Sequence, residues 1–252
     1  MSGFWDQAFD LNGRCAVITG GAAGIGLACA SLLVERGARV ALLDRDPQVV
    51  EIAAGLGSGH LGLALDLRQL DQLQDAVDLV ATHFGRLDFL VNSAGVALLD
   101  KALEVRESAW DTTLDINLKA SFFAAQACAR HMFEQGHGRI VNLASQAAVI
   151  GLDRHVAYCA SKAAVVGMTK VLAMEWAPHG INVNAVSPTI VETALGKQAW
   201  AGERGEQARL QIPVGRFAQP EEIAGLVLYL LSDAAKMITG ENVMIDGGYS
   251  IQ

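Results

Sequence analysis

Seven short apolar segments alternate along the chain with longer segments whose apolar residues recur at helical spacing. Unbroken apolar runs are typical of strands buried on both faces, as in a parallel sheet. The alternation predicts an α/β protein with a single doubly wound Rossmann fold, in which a seven-stranded, mostly parallel sheet carries helices on both faces. The strand candidates are CAVITG (15–20), RVALLD (39–44), LGLALD (61–66), LDFLVN (87–92), RIVNLA (139–144), INVNAV (181–186) and NVMID (242–246), and the clearest helical patterns cover 70–84, 109–133 and 157–176.

Composition narrows the class of protein. The 252 residues are 52% hydrophobic and 18% charged, without a repeat, low-complexity tract or linker, so we expect one domain over residues 1–252. A net charge of −8 without a basic block argues against nucleic acid or an anionic membrane as a partner. No apolar run reaches the roughly 18 residues of a membrane span, and the N-terminus does not have the pattern of a secretory signal.

The cysteines and histidines predict no metal site. The four cysteines lie in apolar segments without metal-ligand spacing, and the six histidines are scattered. We therefore expect buried thiols in a reducing cytoplasm.

A glycine cluster, TGGAAGIG (19–26), joins the first strand to the first helix. Gly20, Gly24 and Gly26, with Ile25 between them, allow backbone to approach a pyrophosphate at a helix N-terminus. The spacing is GxxxGxG rather than the standard GxGxxG, and a glycine cluster by itself is also compatible with a tight turn. Its position favours phosphate binding.

The next two strands end in carboxylates. Asp44 is placed to accept hydrogen bonds from ribose hydroxyls and to repel a 2′-phosphate, which favours NAD over NADP. Arg45 is either a surface charge or a group that neutralises a 2′-phosphate. Asp66, followed by Leu67, is placed either to reach the adenine or to cap the helix before Gln69.

The fourth strand leads into Asn92-Ser93-Ala94-Gly95, whose small residues leave room for a cofactor ribose. Asn92, Ala94 and Gly95 are thus candidate cofactor contacts. Asn117 lies within the next predicted helix, where asparagine is a poor helix former. It is either a polar residue on a solvated face or a buried, hydrogen-bonded group.

The fifth strand is followed by Ser145, and Tyr158 and Lys162 stand four residues apart on one face of the next helix. Tyrosine has a pKa near about 10, and an ammonium on the same face favours the phenolate. A phenolate beside a serine hydroxyl suits proton transfer with an alcohol oxygen. Because YxxxK is common by chance, the alternative is an incidental helix pair.

Together these residues resemble the short-chain dehydrogenase/reductase family over nearly the whole chain. The family's TGxxxGxG matches residues 19–26, and its NNAG matches residues 92–95 with serine in second place. Its PGxVxT segment matches residues 188–193, where Pro188, Val191 and Thr193 are kept as cofactor contacts and Thr189 replaces glycine. The resemblance assigns the catalytic set to Asn117, Ser145, Tyr158 and Lys162.

The resemblance also implies the mechanism. Tyr158 is the general base, Ser145 orients the substrate oxygen, and Lys162 lowers the pKa of the tyrosine and holds the nicotinamide ribose. Asn117 links Lys162 to solvent through water. Family members are commonly tetramers, which implies a homotetramer.

The runs LDRHVAYCASK, SPTIVETALGKQAW and IPVGRF resemble the family branch that oxidises sugar alcohols with NAD. Residues 189–220 then form a substrate-binding lid, and the substrate contacts are Ser145, Gln146, His155, Tyr158 and Trp200. His155 is alternatively a water-facing residue at the helix start, and Trp200 alternatively packs the lid onto the body. The expected activity is that of an NAD-dependent polyol dehydrogenase. The alternatives are a 3-ketoacyl-carrier-protein or other ketone reductase and a non-catalytic NAD-binding regulatory protein.

Overall fold

The computed structural model describes residues 3–193, 200 and 202–252. Its centre is a seven-stranded sheet in the order β3-β2-β1-β4-β5-β6-β7. All six pairings between neighbouring strands are parallel, which confirms the predicted doubly wound fold. The strands are β1 (Cys15–Thr19), β2 (Arg39–Asp44), β3 (Leu61–Ala64), β4 (Phe89–Asn92), β5 (Gly138–Leu143), β6 (Ile181–Pro188) and β7 (Asn242–Ile245).

The helices cover both faces of this sheet. They are α1 (Phe4–Ala8), α2 (Gly24–Glu35), α3 (Val49–Gly55), α4 (Leu70–Phe84), α5 (Glu107–Leu114), α6 (Ala120–Gln135), α7 (Val156–Trp176), α8 (Glu203–Leu210) and α9 (Pro220–Leu231). Short 3-10 turns occupy Gln146–Ala148, Ala177–His179, Asp233–Ala235 and Tyr249–Ile251.

Alternate residues of each strand enter two separate cores. On β1, Cys15 and Val17 face the core under α4, α6 and α7, whereas Ala16 and Ile18 face the core under α2 and α9. This is the period-2 alternation of a strand, with both faces apolar because both are covered. The continuous apolar runs in the sequence have this origin.

The segment 109–133, predicted as one helix, is helical throughout, but it is not a regular α-helix. A π-helical turn, Asp115–Lys119, separates α5 from α6, and the Ala120 N–H bonds to the carbonyl of Asp115. The helix prediction is therefore confirmed, and the π turn within it was not predicted. A π turn has no sequence signature at this level, and such turns are frequent at functional sites.

Helix α7, continued by its 3-10 turn to His179, has the length and apolar composition of a membrane span. It is nonetheless packed on the sheet, where Val165, Leu172 and Trp176 are buried. Its outer face exposes Val171 and Met174.

A buried charge cluster closes the amino edge of the sheet. The Asp88 carboxylate is fully buried and accepts from Arg14 (2.8 Å), from Arg86 (2.6 and 2.7 Å) and from the Cys15 amide (3.0 Å). Burial alone would raise the pKa of Asp88, but the guanidinium groups of Arg86 and Arg14 outweigh it and lower that pKa. The imidazole of His137 lies 3.9 Å from the same carboxylate.

The cluster predicts a loss of stability in mild acid. Burial, together with the nearby cations Arg14 and Arg139, lowers the pKa of His137 to about 4 from 6.5. His137 is therefore neutral in the folded chain near neutral pH. Its contribution to the free energy of unfolding is fully present above about pH 6.5, the pKa in the unfolded chain. As the pH falls towards about 4, the free energy of unfolding decreases by roughly 1–3 kcal/mol, because the unfolded chain binds the proton more readily. Urea unfolding of His137→Gln should show a shallower fall in the free energy of unfolding over this range. His83→Gln, an exposed control on α4, should follow the parent; equal slopes for all three proteins would contradict the prediction.

Candidate active site

The carboxyl ends of the parallel strands meet at one edge of the sheet, which is where doubly wound folds bind ligands. Most of the predicted site residues come together here. The glycine turn follows β1, Asp44 ends β2, Asn92 ends β4, and Ser145 lies just beyond β5. The pairing of β4 with β1 and β5 puts Thr19, Asn92 and Asn142 at one level.

The glycine turn is tight enough to require its glycines. Gly20 and Gly24 have left-handed backbone, with φ of 67° and 56°. A Cβ on Gly26 would lie 2.1 Å from the Gly20 carbonyl oxygen, so a side chain there would displace the turn. Ala23, the N-cap of α2, has no side-chain oxygen to cap the first-turn amides. The first-turn amides of α2 are thus left without a capping side chain, and a pyrophosphate could accept hydrogen bonds from them.

The Asp44 carboxylate is held by backbone groups at the end of β2. It accepts from the amides of Ala22 and Asp46, at 3.1 Å each. Asp44 lines a cleft that is suited by position to the adenosine half of a dinucleotide. Arg45 is exposed, as expected of a surface charge, yet it lines the same cleft, together with Gly20, Leu65, Asp66, Leu67, Ala94, Gly95, Val96 and Ile116.

Asp66 has a partner that the sequence analysis missed. Both of its carboxylate oxygens accept from the Arg68 guanidinium, and these hydrogen bonds lower the pKa of Asp66. Asp66 also accepts from the Arg68 amide, whereas the N-cap of α4 is Gln69. The alternative role of Asp66 as the helix cap is therefore wrong. The i,i+2 spacing of opposite charges was the available signal.

Asn92 directs its amide into the protein interior. Its Nδ2 donates to Asn142 Oδ1 and to the Ser121 carbonyl, both at 2.9 Å. If Asn92 contacts a cofactor, we therefore expect its backbone rather than its side-chain amide to do so. Ala94 and Gly95 do line the cleft.

Asn117 lies within the π turn and is buried, which resolves the two alternatives for this residue. Its side chain clamps the backbone of Val96 from both sides, accepting from the amide (2.8 Å) and donating to the carbonyl (2.9 Å). It also donates to the hydroxyl of Ser161 at 3.0 Å. Val96 and Ser161 were not identified from the sequence, because their role arises from contacts between distant segments.

Ser145, Tyr158 and Lys162 form one group. Lys162 is buried and its Nζ donates to the Leu143 carbonyl at 2.6 Å, which ties α7 to the end of β5. The same nitrogen lies 5.8 Å from the centre of the Tyr158 ring. The Ser145 hydroxyl accepts from the Ala147 amide at 3.2 Å, and it lies near enough to Tyr158 to act on the pKa of that residue.

The electrostatics of this group differ from the expectation. Burial lowers the pKa of Lys162 to about 8. Burial also raises the pKa of Tyr158, and the nearby Ser145 hydroxyl only opposes that rise. The expected lowering of the Tyr158 pKa by Lys162 is thus not seen, because loss of solvent disfavours the phenolate more than its neighbours favour it.

The segment after β6 lies across the site. Pro188 ends β6, and Val191 is buried and pairs with Ala218, so the two ends of the predicted lid meet. Thr193 approaches the glycine turn, where its Cγ2 would be 3.1 Å from a Cβ on Gly24. Residues 194–199 and 201 of the predicted lid lie outside the described residues.

Two of the candidate substrate residues lie beside the catalytic group. Gln146 is buried in the 3-10 turn that follows Ser145. The His155 ring meets the edge of the Tyr158 ring, with centroids 6.0 Å apart, and its Nδ1 lies 2.5 Å from the Asp153 carbonyl oxygen. His155 is thus packed on Tyr158 rather than turned wholly to water. The Trp200 and Phe217 rings have centroids 6.5 Å apart. Both residues belong to the predicted lid, so this contact lies within the lid rather than between the lid and the body.

Known proteins are similar to this chain over nearly its whole length. A family model described as enoyl-(acyl carrier protein) reductase matches residues 20–250. An NAD-dependent glycerol dehydrogenase from Listeria innocua is 53% identical, with 98% of each chain covered. A D-threitol dehydrogenase from Mycolicibacterium smegmatis is 51% identical, with 98% of this chain and 96% of that one covered.

A solved structure of a Beutenbergia cavernae protein with bound NADP superposes with a TM-score of 0.92 at 37% identity, covering 97% of this chain and 100% of that one. The sequence motifs, the all-parallel sheet and these relatives agree with one another. The chain belongs to the short-chain dehydrogenase/reductase family.

Proposed function

We propose that this protein is an NAD-dependent polyol dehydrogenase, which transfers hydride between a sugar alcohol and NAD. The observation that carries the proposal is the group formed by Ser145, Tyr158 and Lys162 at the carboxyl edge of the sheet. The polyol follows from the two relatives above 50% identity, which are named for glycerol and D-threitol. Both are covered almost completely by this chain.

Each catalytic residue has a distinct task. The nicotinamide ring, when bound, accepts the hydride from the carbinol carbon. Tyr158 as phenolate takes the hydroxyl proton, and Ser145 holds the reacting oxygen by a hydrogen bond. Lys162, largely protonated below its pKa of about 8, places a positive charge near the phenolate and reaches the nicotinamide ribose. Since the Asn117 side chain is committed to Val96 and Ser161, we assign it the positioning of those segments.

NAD is the cofactor that Asp44 favours. Its carboxylate is oriented by two backbone amides and lines the adenosine cleft, where a 2′-phosphate would meet a like charge. The glycerol dehydrogenase relative is named as NAD-dependent. Arg45 lines the same cleft and supports the alternative of NADP.

The other functions have weaker support. A 3-ketoacyl-carrier-protein or other ketone reductase would share the fold and the catalytic group, but the two relatives above 50% identity are named as polyol dehydrogenases. A non-catalytic NAD-binding protein has no need of a tyrosine beside a buried lysine at this edge of the sheet.

Three further properties belong to this proposal: its location, its assembly and the type of its partner. All four cysteines are free thiols, which supports a cytoplasmic location. The outer face of α7 exposes Val156, Val171 and Met174, an apolar stripe that supports assembly of copies into a homotetramer. The net charge of −8 supports a small-molecule substrate rather than nucleic acid or a membrane surface.

The catalytic assignment predicts a large effect of Tyr158→Phe. Removing the phenolic hydroxyl should lower kcat for polyol oxidation by about 100- to 10,000-fold, because no other group accepts the proton. Initial rates with NAD and a panel of C3 to C6 polyols measure this, with circular dichroism as the test of folding. Turnover that survives Tyr158→Phe would contradict the mechanism, and absence of any turnover by the parent would favour the non-catalytic alternative.

The cofactor assignment predicts the effect of a change at Asp44. Asp44→Asn removes the charge but keeps a hydrogen-bonding side chain, so the ratio of kcat/KM with NADP to that with NAD should rise about tenfold to a hundredfold. Asp46→Asn, an exposed carboxylate two residues away, is the matched control and should leave the ratio near that of the parent. A parent enzyme that prefers NADP would instead show that Arg45 dominates.

The assembly predicts a position-dependent effect of a surface charge. Val171→Glu on α7 should reduce the mass measured by light scattering from that of a tetramer to that of a smaller species. Leu79→Glu on α4 is matched, because Val171 and Leu79 are 48% and 54% exposed. It should leave the mass unchanged. Equal masses for both variants would argue against this face.

A further inference from the structure

Five buried polar side-chain atoms have no hydrogen-bond partner among the described residues. The His137 and Arg139 nitrogens lie at the amino edge of the sheet. The other three belong to the carboxyl edge, where the catalytic group lies, and of these Asn92 Oδ1 is part of an amide whose nitrogen is bonded to Asn142 and Ser121. Gln146 Oε1 and Thr189 Oγ1 belong to the segments that follow β5 and β6. A buried unpaired acceptor or hydroxyl is unfavourable unless something else satisfies it.

The two residues follow neighbouring strands of the sheet. Strands β5 and β6 run parallel with Leu143 opposite Val186, and the Ala144 amide continues the pairing by donating to the Val186 carbonyl at 2.8 Å. Gln146 lies in the 3-10 turn that begins three residues after Leu143, and Thr189 lies directly after the end of β6. The 3-10 turn that carries Gln146 packs against β6.

The backbone on both sides is fixed. The Gln146 carbonyl accepts from the amides of Val149 and Ile150, and the Thr189 amide donates to the Ile245 carbonyl at 3.3 Å. Gln146 directly follows Ser145, the residue assigned to hold the reacting hydroxyl, so its unpaired oxygen belongs to the segment next to the catalytic group.

The chemistry of the pair matches one hydroxyl group. An alcohol has one proton to donate and two lone pairs to accept with, so a single substrate hydroxyl can donate to Gln146 Oε1 and accept from the Thr189 hydroxyl. A mono-alcohol or an acyl chain has no second hydroxyl and would leave both protein groups unpaired, which is how a polar site rejects an analogue.

We infer that Gln146 and Thr189 together form a subsite for a second hydroxyl of the substrate, and that Thr189, which stands where the family pattern has glycine, is a specificity-determining residue. The inference rests on the proposed polyol dehydrogenase activity and assigns one polar contact of that substrate. A contact with a substrate hydroxyl would explain chemically why threonine replaces glycine at position 189.

The test uses nearly isosteric changes at both positions. Thr189→Val removes the hydroxyl and keeps the shape, while Thr189→Ser keeps the hydroxyl and is the matched control. With NAD and the polyol that the parent oxidises best, kcat/KM of Thr189→Val should fall about tenfold to a hundredfold relative to Thr189→Ser. Thermal unfolding of both variants establishes that they are folded.

A double-mutant cycle separates a shared hydroxyl from general damage. Gln146→Met removes the acceptor with little change of length, and the double variant should lose little more than either single variant, because both residues bind one group. Equal kcat/KM for the valine and serine variants, or effects that multiply in the double variant, would overturn the shared subsite while the polyol activity of the parent stands. A parent that oxidises no polyol would overturn the proposed function and this inference together.

Discussion

The arrangement of the site depends on one buried ammonium group. Lys162 donates to the Leu143 carbonyl at 2.6 Å, so α7 is bound where the end of β5 presents that oxygen. A buried cation is unfavourable without polar neighbours, and burial lowers the pKa of Lys162 to about 8. Gly95 lies beside this group: a Cβ there would be in ordinary contact with Nζ at 3.6 Å but would crowd Asn117 Oδ1 at 3.3 Å. The absence of a side chain at this position therefore leaves room mainly for Asn117.

The π turn 115–119 holds the segments around Lys162 in place as well. Asn117 makes three side-chain hydrogen bonds to Val96 and Ser161, which connect the helix region 115–119 to the loop after β4 and to α7. The Ser121 hydroxyl donates to the Asn117 carbonyl, and its own carbonyl accepts from Asn92. One irregular turn thus joins β4, α6 and α7 around the lysine. The local irregularity is stabilised by contacts that a regular helix would not bring together.

The parts of the fold that depend on local pattern were predictable. The strand β2 and the helix α4 have the bounds that the hydrophobic periodicity predicts, 39–44 and 70–84, because both bury one continuous set of apolar residues. The Ser145, Tyr158 and Lys162 group was predictable too, since the i,i+4 spacing and the strand end fix its geometry. What escaped prediction depends on contacts between distant segments. The inward turn of the Asn92 amide, the clamp on Val96 and the burial that raises the pKa of Tyr158 are examples.

The two edges of the sheet differ in whether their buried polar groups have hydrogen-bond partners. At the amino edge the Asp88 carboxylate has two guanidinium groups and a backbone amide as partners, so its buried charge is compensated within the chain. At the carboxyl edge the first-turn amides of α2 have no capping side chain, and Gln146 and Thr189 present unpaired oxygens in the described part of the chain. Both edges lie on the same rigid parallel strands, so the stabilising pairs at one end allow unpaired groups to persist at the other. A sheet compensated at both edges would gain stability but would have fewer groups left to bind a cofactor and a substrate.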